Sequence, residues 1–426
     1  MKILYLTSHL SEIRGGPLLM LNFAKSVKAI EPNITIALIS LEEKPCKCPS
    51  AIPYNNIKVS FFHADSSHGS HIFAQSIHKS PLSSLAMLSS YKTLSFDFNR
   101  VNHFLEVIGK NYDIIHGESW QSPYTVSRAF FLNGKPLNKA RFVCHVLFHP
   151  TIYADPSSTF TKLFGRKLSI PLRAFYEQYS LKEILSRIDA STTSTPYEYK
   201  LLRKMNLDNV YFVGEGIDID FIHNNIHLIF EKSGKIRRES GGKNTFLYIG
   251  GKSYLKGYYH FLEAIRLMVK DRKDVTFISI GKLDSNDPYV YIIKSLESKL
   301  ISEGYLKTYE NISEIEKFAT IMASDVIVLP SARETIPLVF LEAWALKKPV
   351  IGSLLPTISS VALSGEKSAH LVNFGNVKEL KDAMNVMIED KRYAHRLGNA
   401  GYRKVIETYN LKSIGERLIK VYKKIL

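Results

Sequence analysis

Short apolar runs of strand length alternate with longer amphipathic segments along most of this chain, and that alternation constrains the fold more than any other feature. MKILYLTSHL is followed by GPLLMLNFAKSVKAI and then NITIALIS, and DVTFISIG and PVIG repeat the strand pattern much later. A strand joined to the next through a helix must cross over, which makes neighbouring strands parallel and puts helices on the sheet faces. The expectation is an α/β chain with parallel sheets. With 426 residues, 45% of them hydrophobic, there is core enough for two domains of ordinary size.

Strands are expected near Lys2 to Leu6, Ile34 to Ile39, Asp113 to His116, Phe142 to Leu147 and Ala190 to Thr193, all within a first domain over 1–206. The polar stretch from Ser66 to Ser95 breaks this rhythm and reads as an insertion with short helices. A hinge around Met205 to Asp208 opens a second domain, 207–405, starting with VYFVGEGID. Its basic, glycine-bearing stretch HNNIHLIFEKSGKIRRESGGKN reads as a surface loop. The amphipathic segment LKSIGERLIKVYKKIL, within 406–426, is expected as a helix crossing back to the first domain.

Composition excludes several classes. No apolar run approaches the roughly 18 residues that cross a bilayer, and MKILYL meets polar Thr7 and Ser8 too soon for a signal peptide. The three cysteines, Cys46, Cys48 and Cys144, make no disulfide framework, so cytoplasmic residence is the default expectation. Cys46 and Cys48 have no partner at zinc spacing, and no metal site is expected. The net charge of +16 favours anionic partners, but the basic residues are scattered and match no nucleic-acid module, so no nucleic acid is expected.

Four constellations carry chemistry. Arg14-Gly15-Gly16-Pro17 joins the first strand to the first helix, where paired glycines let backbone approach a ligand and helix amides face a phosphate or sugar, though such a turn also serves as a plain tight connection. In YIGGKSYLKGYYHFLEAI, Gly251, Lys252 and Lys256 precede a helix, and Lys256 is the better placed cation for a departing diphosphate. In SARETIPLVFLEAWALKKPVIG, Glu334 and Glu342 flank the entry to an apolar helix. Glu342 sits between Leu341 and Ala343, an awkward place for a solvated charge, and sugar hydroxyls would satisfy it. Lastly, VCHVLFHP puts His145 and His149 at a strand's carboxyl end, where open α/β sheets bind ligands; a core histidine is the competing reading, stronger for His145. Asp218-Ile219-Asp220 looks like a metal-holding acidic triplet but follows a glycine turn, and Asp218 reads as cap chemistry.

In this order the landmarks resemble the GT-B glycosyltransferases of family 4, retaining nucleotide-sugar transferases, over nearly the whole chain. They are Gly15 and Gly16, DIIH at Asp113 to His116, His149 with Pro150, STPYEYKLLRKM, GEGID, Lys256 with Gly257, the E-x7-E pair, and the tail RLGNAGYRKVIETYNLKSIGERLIKVY. The resemblance implies two Rossmann-like domains facing a central cleft, the second binding the donor and the first the acceptor. It implies that Glu342 holds the ribose, Glu334 the donor sugar and Lys256 the diphosphate, with the backbone of Ile336, Pro337 and Leu338 nearby. Gly16 would lie against the diphosphate and sugar, and His149 would touch the transferred sugar. No cofactor or metal is implied. The chain departs from the family pattern where arginine usually follows Gly250, since Gly251 and then Lys252 stand there, and where Pro337 replaces a common glycine and removes an amide donor.

The expected reaction moves a hexose-type unit from a nucleoside diphosphate sugar to a hydroxyl of a glycan, lipid-linked or other acceptor, with retention. Lys256, with Lys252 as a second cation, would stabilise the leaving diphosphate, whose oxygen would take the acceptor proton. The alternative is a catalytically weakened protein of the same fold that binds sugar nucleotides or serves as a scaffold. FTKLFGRKLSIPLRAF interleaves basic and apolar residues, as either an anionic-membrane contact or a domain-packing helix would.

Overall fold

The protein is described by a computed structural model over residues 1–8, 16–42, 58–63, 98–119, 125, 128–129, 140–147, 175 and 178–426. It divides into two compact units, Met1–Glu215 with Leu411–Leu426, and Gly216–Asn410.

The first unit is a parallel sheet of seven strands: β1 (Lys2–Ser8), β2 (Thr35–Glu42), β3 (Lys58–His63), β4 (Ile114–Glu118), β5 (Arg141–Val146), β6 (Ala190–Thr193) and β7 (Val210–Phe212), in the order β3-β2-β1-β4-β5-β6-β7. The central strands are continuous apolar runs because both sheet faces are covered. Successive side chains point to opposite faces, so Leu4, Leu6, Ile115, Phe142 and Cys144 enter one core while Ile3, Tyr5, Ile114 and Val143 enter the other. The second core is closed by α1 (Gly16–Ile30) and by the C-terminal helix Leu411–Ile425, which buries Ile414, Leu418 and Tyr422 there. The two helices pass so closely that a Cβ on Gly415 would lie 2.4 Å from the carbonyl oxygen of Ser26. The opening MKILYL is thus a buried strand, and the C-terminal helix belongs to the first unit.

A buried polar chain runs through this second core. The hydroxyls of Tyr5 and Tyr422 are 2.9 Å apart, and that of Tyr422 is 2.6 Å from His116 Nδ1. His116 Nε2 lies 3.3 Å from Thr192 Oγ1, which is 2.9 Å from His145 Nδ1, and His145 Nε2 is 2.8 Å from Ser194 Oγ. Burial pushes His145 down to about 3 and His116 well below its usual value, so both rings are neutral. Each polar group finds a partner, which makes the chain tolerable in a core.

The second unit is a parallel sheet of six strands: β8 (Asn244–Ile249), β9 (Val275–Ile280), β10 (Leu306–Tyr309), β11 (Val326–Leu329), β12 (Val350–Ser353) and β13 (Ala369–Val372), ordered β10-β9-β8-β11-β12-β13. Two features differ from the sequence expectation. The unit boundary follows Glu215 instead of Asn206, because Val210–Phe212 pairs with β6 as the edge of the first sheet. The basic stretch expected as a loop contains a helix, α2 (Ile226–Glu239). Its buried stripe is thin, with Ile229 and Ser233 facing the unit, so its charges dominate the sequence. The stretch from Ser66 to Ser95 and the segment FTKLFGRKLSIPLRAF, apart from Phe175, lie outside the described residues.

In both sheets the strand order reverses once, between β1 and β4 and between β8 and β11. Open α/β sheets bind ligands outside the carboxyl ends of strands at such switch points.

Candidate functional site

The loops leaving β8 and β11 meet at the second sheet's switch point. Gly250 to Gly257 lead from β8 into α3 (Tyr258–Asp271), and Pro330 to Pro337 lead from β11 toward the apolar helix of the glutamate pair. The two loops are bound together: the Ala332 amide donates to the Leu255 carbonyl at 2.8 Å, and the Ser331 hydroxyl donates to the Lys256 carbonyl at 3.3 Å. Gly257 has φ 76°, and a Cβ there would lie 2.1 Å from the Pro330 carbonyl oxygen, so only glycine lets the loops approach this far. From below, the Tyr248 hydroxyl donates to the carbonyls of Gly251 at 2.7 Å and Lys256 at 3.2 Å. Burial and the charge of Glu334 hold that phenol well above its usual pKa, so it stays a donor.

These contacts bring Lys256 to Glu334, with Nζ 2.7 Å from Oε1. Lys256 is 43% exposed and Glu334 12%, so the pair opens to solvent on the lysine side. The Glu334 carbonyl accepts from the Thr357 hydroxyl at 2.6 Å, fixing the backbone beneath the carboxylate. Lys252, counted from sequence with the donor-binding groups, is turned the other way. Its side chain is 3% exposed and its ammonium lies 2.8 Å from Glu297 Oε1, an oxygen that also accepts from the Tyr258 hydroxyl at 2.5 Å. This revises its place: four residues from Lys256, it is a buried ion-pair partner inside the unit. Gly251 beside it is exposed, and a Cβ added there would meet nothing within 4 Å.

Eight residues past Glu334, Glu342 lies on α5 (Leu338–Ala345), which follows α4 (Glu314–Ala323) and β11 in the chain. Glu334 stands in the loop ahead of that helix instead of in its first turn. Pro337 is the N-cap residue of α5, its carbonyl accepting from the Phe340 amide at 2.8 Å, so Ile336 to Leu338 form the helix entry. The far side of α5 is sealed by Trp344, whose indole donates to the Ser368 carbonyl at 3.0 Å and whose ring leaves no room for a Cβ on Gly401 of α6 (Lys391–Glu407). Glu342 is buried in this apolar company, as its neighbours in sequence imply, and Lys317 of α4 places its ammonium 2.7 Å from Oε1. Sequence reading missed Lys317 and Glu297. Lys317 looks there like the exposed partner of Glu314 three residues earlier, and nothing local points to Glu342.

In the first unit, Gly16 begins α1, whereas Gly15 and His149 lie outside the described residues. His145 is a core histidine of the polar chain. At this sheet's switch point the Thr7 hydroxyl donates to the buried carboxylate of Glu118, at the ends of β1 and β4. Asp218 caps the helix Ile219–Asn224, accepting from the Phe221 amide at 2.9 Å. Among the described residues no three His, Cys, Asp or Glu side chains cluster as metal ligands would, and no helix is long and apolar enough to cross a membrane.

Residues 229–404, which contain both loops and both glutamates, match the family model described as glycosyl transferases group 1. Over its full length the chain superposes on sucrose-phosphate synthase from Thermosynechococcus elongatus, with TM-score 0.72, 16% identity and coverage of 100% of this chain and 99% of that one. HepE from Anabaena, solved in complex with UDP and glucose, gives TM-score 0.69, 15% identity and coverage of 99% of both chains. The fold is GT-B. Among curated relatives, the MMP alpha-(1->4)-mannosyltransferase of Mycolicibacterium hassiacum is 28% identical over 189 residues, 44% of each chain. The chain spans about half the length of the curated relatives it matches first. In GT-B terms, Lys256, Glu334 and Glu342 all belong to the second Rossmann-like domain.

Proposed function

We propose that this GT-B protein is a glycosyltransferase that moves a hexose-type unit from a nucleoside diphosphate sugar to an acceptor hydroxyl, with retention at the anomeric carbon and no metal in the site. The observation that carries the reading is the Lys256–Glu334 pair at the switch point between β8 and β11, with Glu342 on the helix that the second loop enters. Lys256 faces solvent enough to meet a diphosphate, and the amides at the start of α5 add partial positive charge. Glu334 would then accept hydroxyls of the donor sugar, and Glu342 those of the ribose. As the bond from the anomeric carbon to the diphosphate breaks, negative charge grows on the departing oxygen, which Lys256 stabilises. The acceptor oxygen bonds to the same carbon, and its proton passes to the diphosphate. Lys252 is left out of this set, since its ammonium is committed to Glu297. Gly15 and Gly16 would line the diphosphate and His149 the transferred sugar. A glycan or lipid-linked acceptor would bind the first domain, where Glu118 is the carboxylate at the switch point.

Support comes also from the family model over 229–404 and from the curated relatives named as glycosyltransferases. The test is a panel of uridine, guanosine and adenosine diphosphate sugars, scored for binding by thermal shift and for release of nucleoside diphosphate. One donor is expected to bind and turn over, and Lys256→Ala and Glu342→Ala to lose turnover. Binding without release would favour the weakened, scaffold-like alternative, and no binding by any donor would overturn the site assignment.

A further inference from the structure

Lys317 forms an ion pair that the reaction scheme does not use. Its ammonium lies 2.7 Å from Glu342 Oε1 and 2.8 and 3.0 Å from the two carboxylate oxygens of Glu314. The Lys317 and Glu342 side chains are 14% and 10% exposed, whereas Glu314 is 64% exposed. Burial disfavours the ammonium, but Glu342 and Glu314 together outweigh it and hold Lys317 above its usual pKa, so it stays charged. The second oxygen of Glu342 makes no hydrogen bond among the described residues. One oxygen is thus pinned and the other left for a ligand.

An ion pair this buried is a poor fastener between α4 and α5, because desolvation offsets much of its attraction and an apolar pair would join the helices as well. Its effect on the carboxylate is more specific. It fixes the Glu342 rotamer, and hydrogen bonds to a carboxylate are stronger than those to a neutral acceptor. We propose that Lys317 is the positioning residue for nucleotide ribose: by holding Glu342 Oε1 it directs the remaining oxygen at the vicinal hydroxyls and makes the site select ribonucleotides over deoxyribonucleotides. This rests on Glu342 being the ribose ligand.

The experiment is calorimetric titration of the full chain with UDP, GDP and ADP and with the 2′-deoxy form of each. The nucleotide that binds best is expected to bind about tenfold or more tighter than its 2′-deoxy form, as loss of a hydrogen bond to a charged group implies. In Lys317→Met that ratio should fall to about threefold or less, through weaker binding of the ribonucleotide alone, and Lys317→Arg should restore most of it. A ratio unchanged in Lys317→Met, with both forms weakened equally, would mean that Lys317 only fastens helices and would overturn the proposal, as would a wild-type ratio near one. If the Met variant lacks a cooperative thermal transition, Lys317→Gln provides the same ratio and is judged by the same outcomes. Failure of all three ribonucleotides to bind the wild type would instead strike the reading of the site itself.

Discussion

Lys256 and Glu334 lie 78 residues apart in the chain and 2.7 Å apart in space, joined because the loops after β8 and β11 are hydrogen-bonded to each other at the sheet's switch point. A cation resting on a carboxylate is pre-positioned at little reorganisation cost. In the proposed reaction, an arriving diphosphate would give the lysine two anionic claimants and release the carboxylate toward neutral hydroxyls.

The first prediction concerns that pair. Lys256→Ala should lower kcat by about 10²- to 10³-fold, the range seen when one stabilising donor is removed, with a much smaller change in melting temperature. Glu334→Gln should retain folding and lose turnover as well. Steady-state kinetics beside differential scanning calorimetry separates the two effects.

Lys252 should behave in the opposite way. Lys252→Met strands the Glu297 carboxylate, which is 15% exposed, and should destabilise the second domain by about 3–5 kcal/mol. Urea unfolding measures the loss. If Lys252→Met is stable but loses donor binding, the ammonium does not remain on Glu297 during catalysis.

Gly251 is exposed, and a side chain there meets open space. Gly251→Arg should therefore fold, and a guanidinium beside Lys256 should lower the donor KM several-fold by gripping the diphosphate with a planar fork. The same substitution made on a Lys256→Ala background should recover part of the lost turnover.

Acid should loosen the first domain. His145 titrates at about 3 in the fold against 6.5 as a free side chain, and His116 is shifted in the same direction. The unfolded chain therefore binds more protons between those values, so stability is present above about pH 6.5 and declines as pH falls toward 3. Each imidazole contributes a slope of up to about 1.4 kcal/mol per pH unit. The hydrogen-exchange protection factors of the C-terminal helix, corrected for the slower intrinsic exchange at low pH, should fall with this slope from pH 7 to 4, and His145→Gln should flatten it.

The strands were legible because buried parallel strands are written as near-continuous apolar runs: KILYL, DIIH and VTFISI need no context. Which sheet an edge strand joins is not written locally, and Val210–Phe212 went to the first one through its pairing with Ser191 to Thr193. Lys252 and Lys256 look alike in a glycine-bearing loop. They differ only through Glu297, 45 residues downstream of Lys252, and Glu334. Glu342 was legible because a lone acid in an apolar helix demands a partner, but the partner, Lys317, belongs to another helix. His145 carried a functional pattern and became a core residue because Thr192 and Ser194 of a strand and its exit satisfy both ring nitrogens.

The C-terminal helix gives the first domain an unusual order of birth. The helix emerges from the ribosome only after the whole intervening unit, roughly 200 residues and some ten to forty seconds of synthesis at ordinary rates. Until then the core holding Ile3, Tyr5, Phe23 and Val143 is closed by α1 alone, and Tyr5 and His116 lack the Tyr422 hydroxyl. The domain that is made first is therefore finished last, while the second unit, inserted between its parts in sequence, can mature as a self-contained passenger. Nascent chains halted before Leu411 should engage chaperones through the first domain, and chains extended past Ile425 should release them.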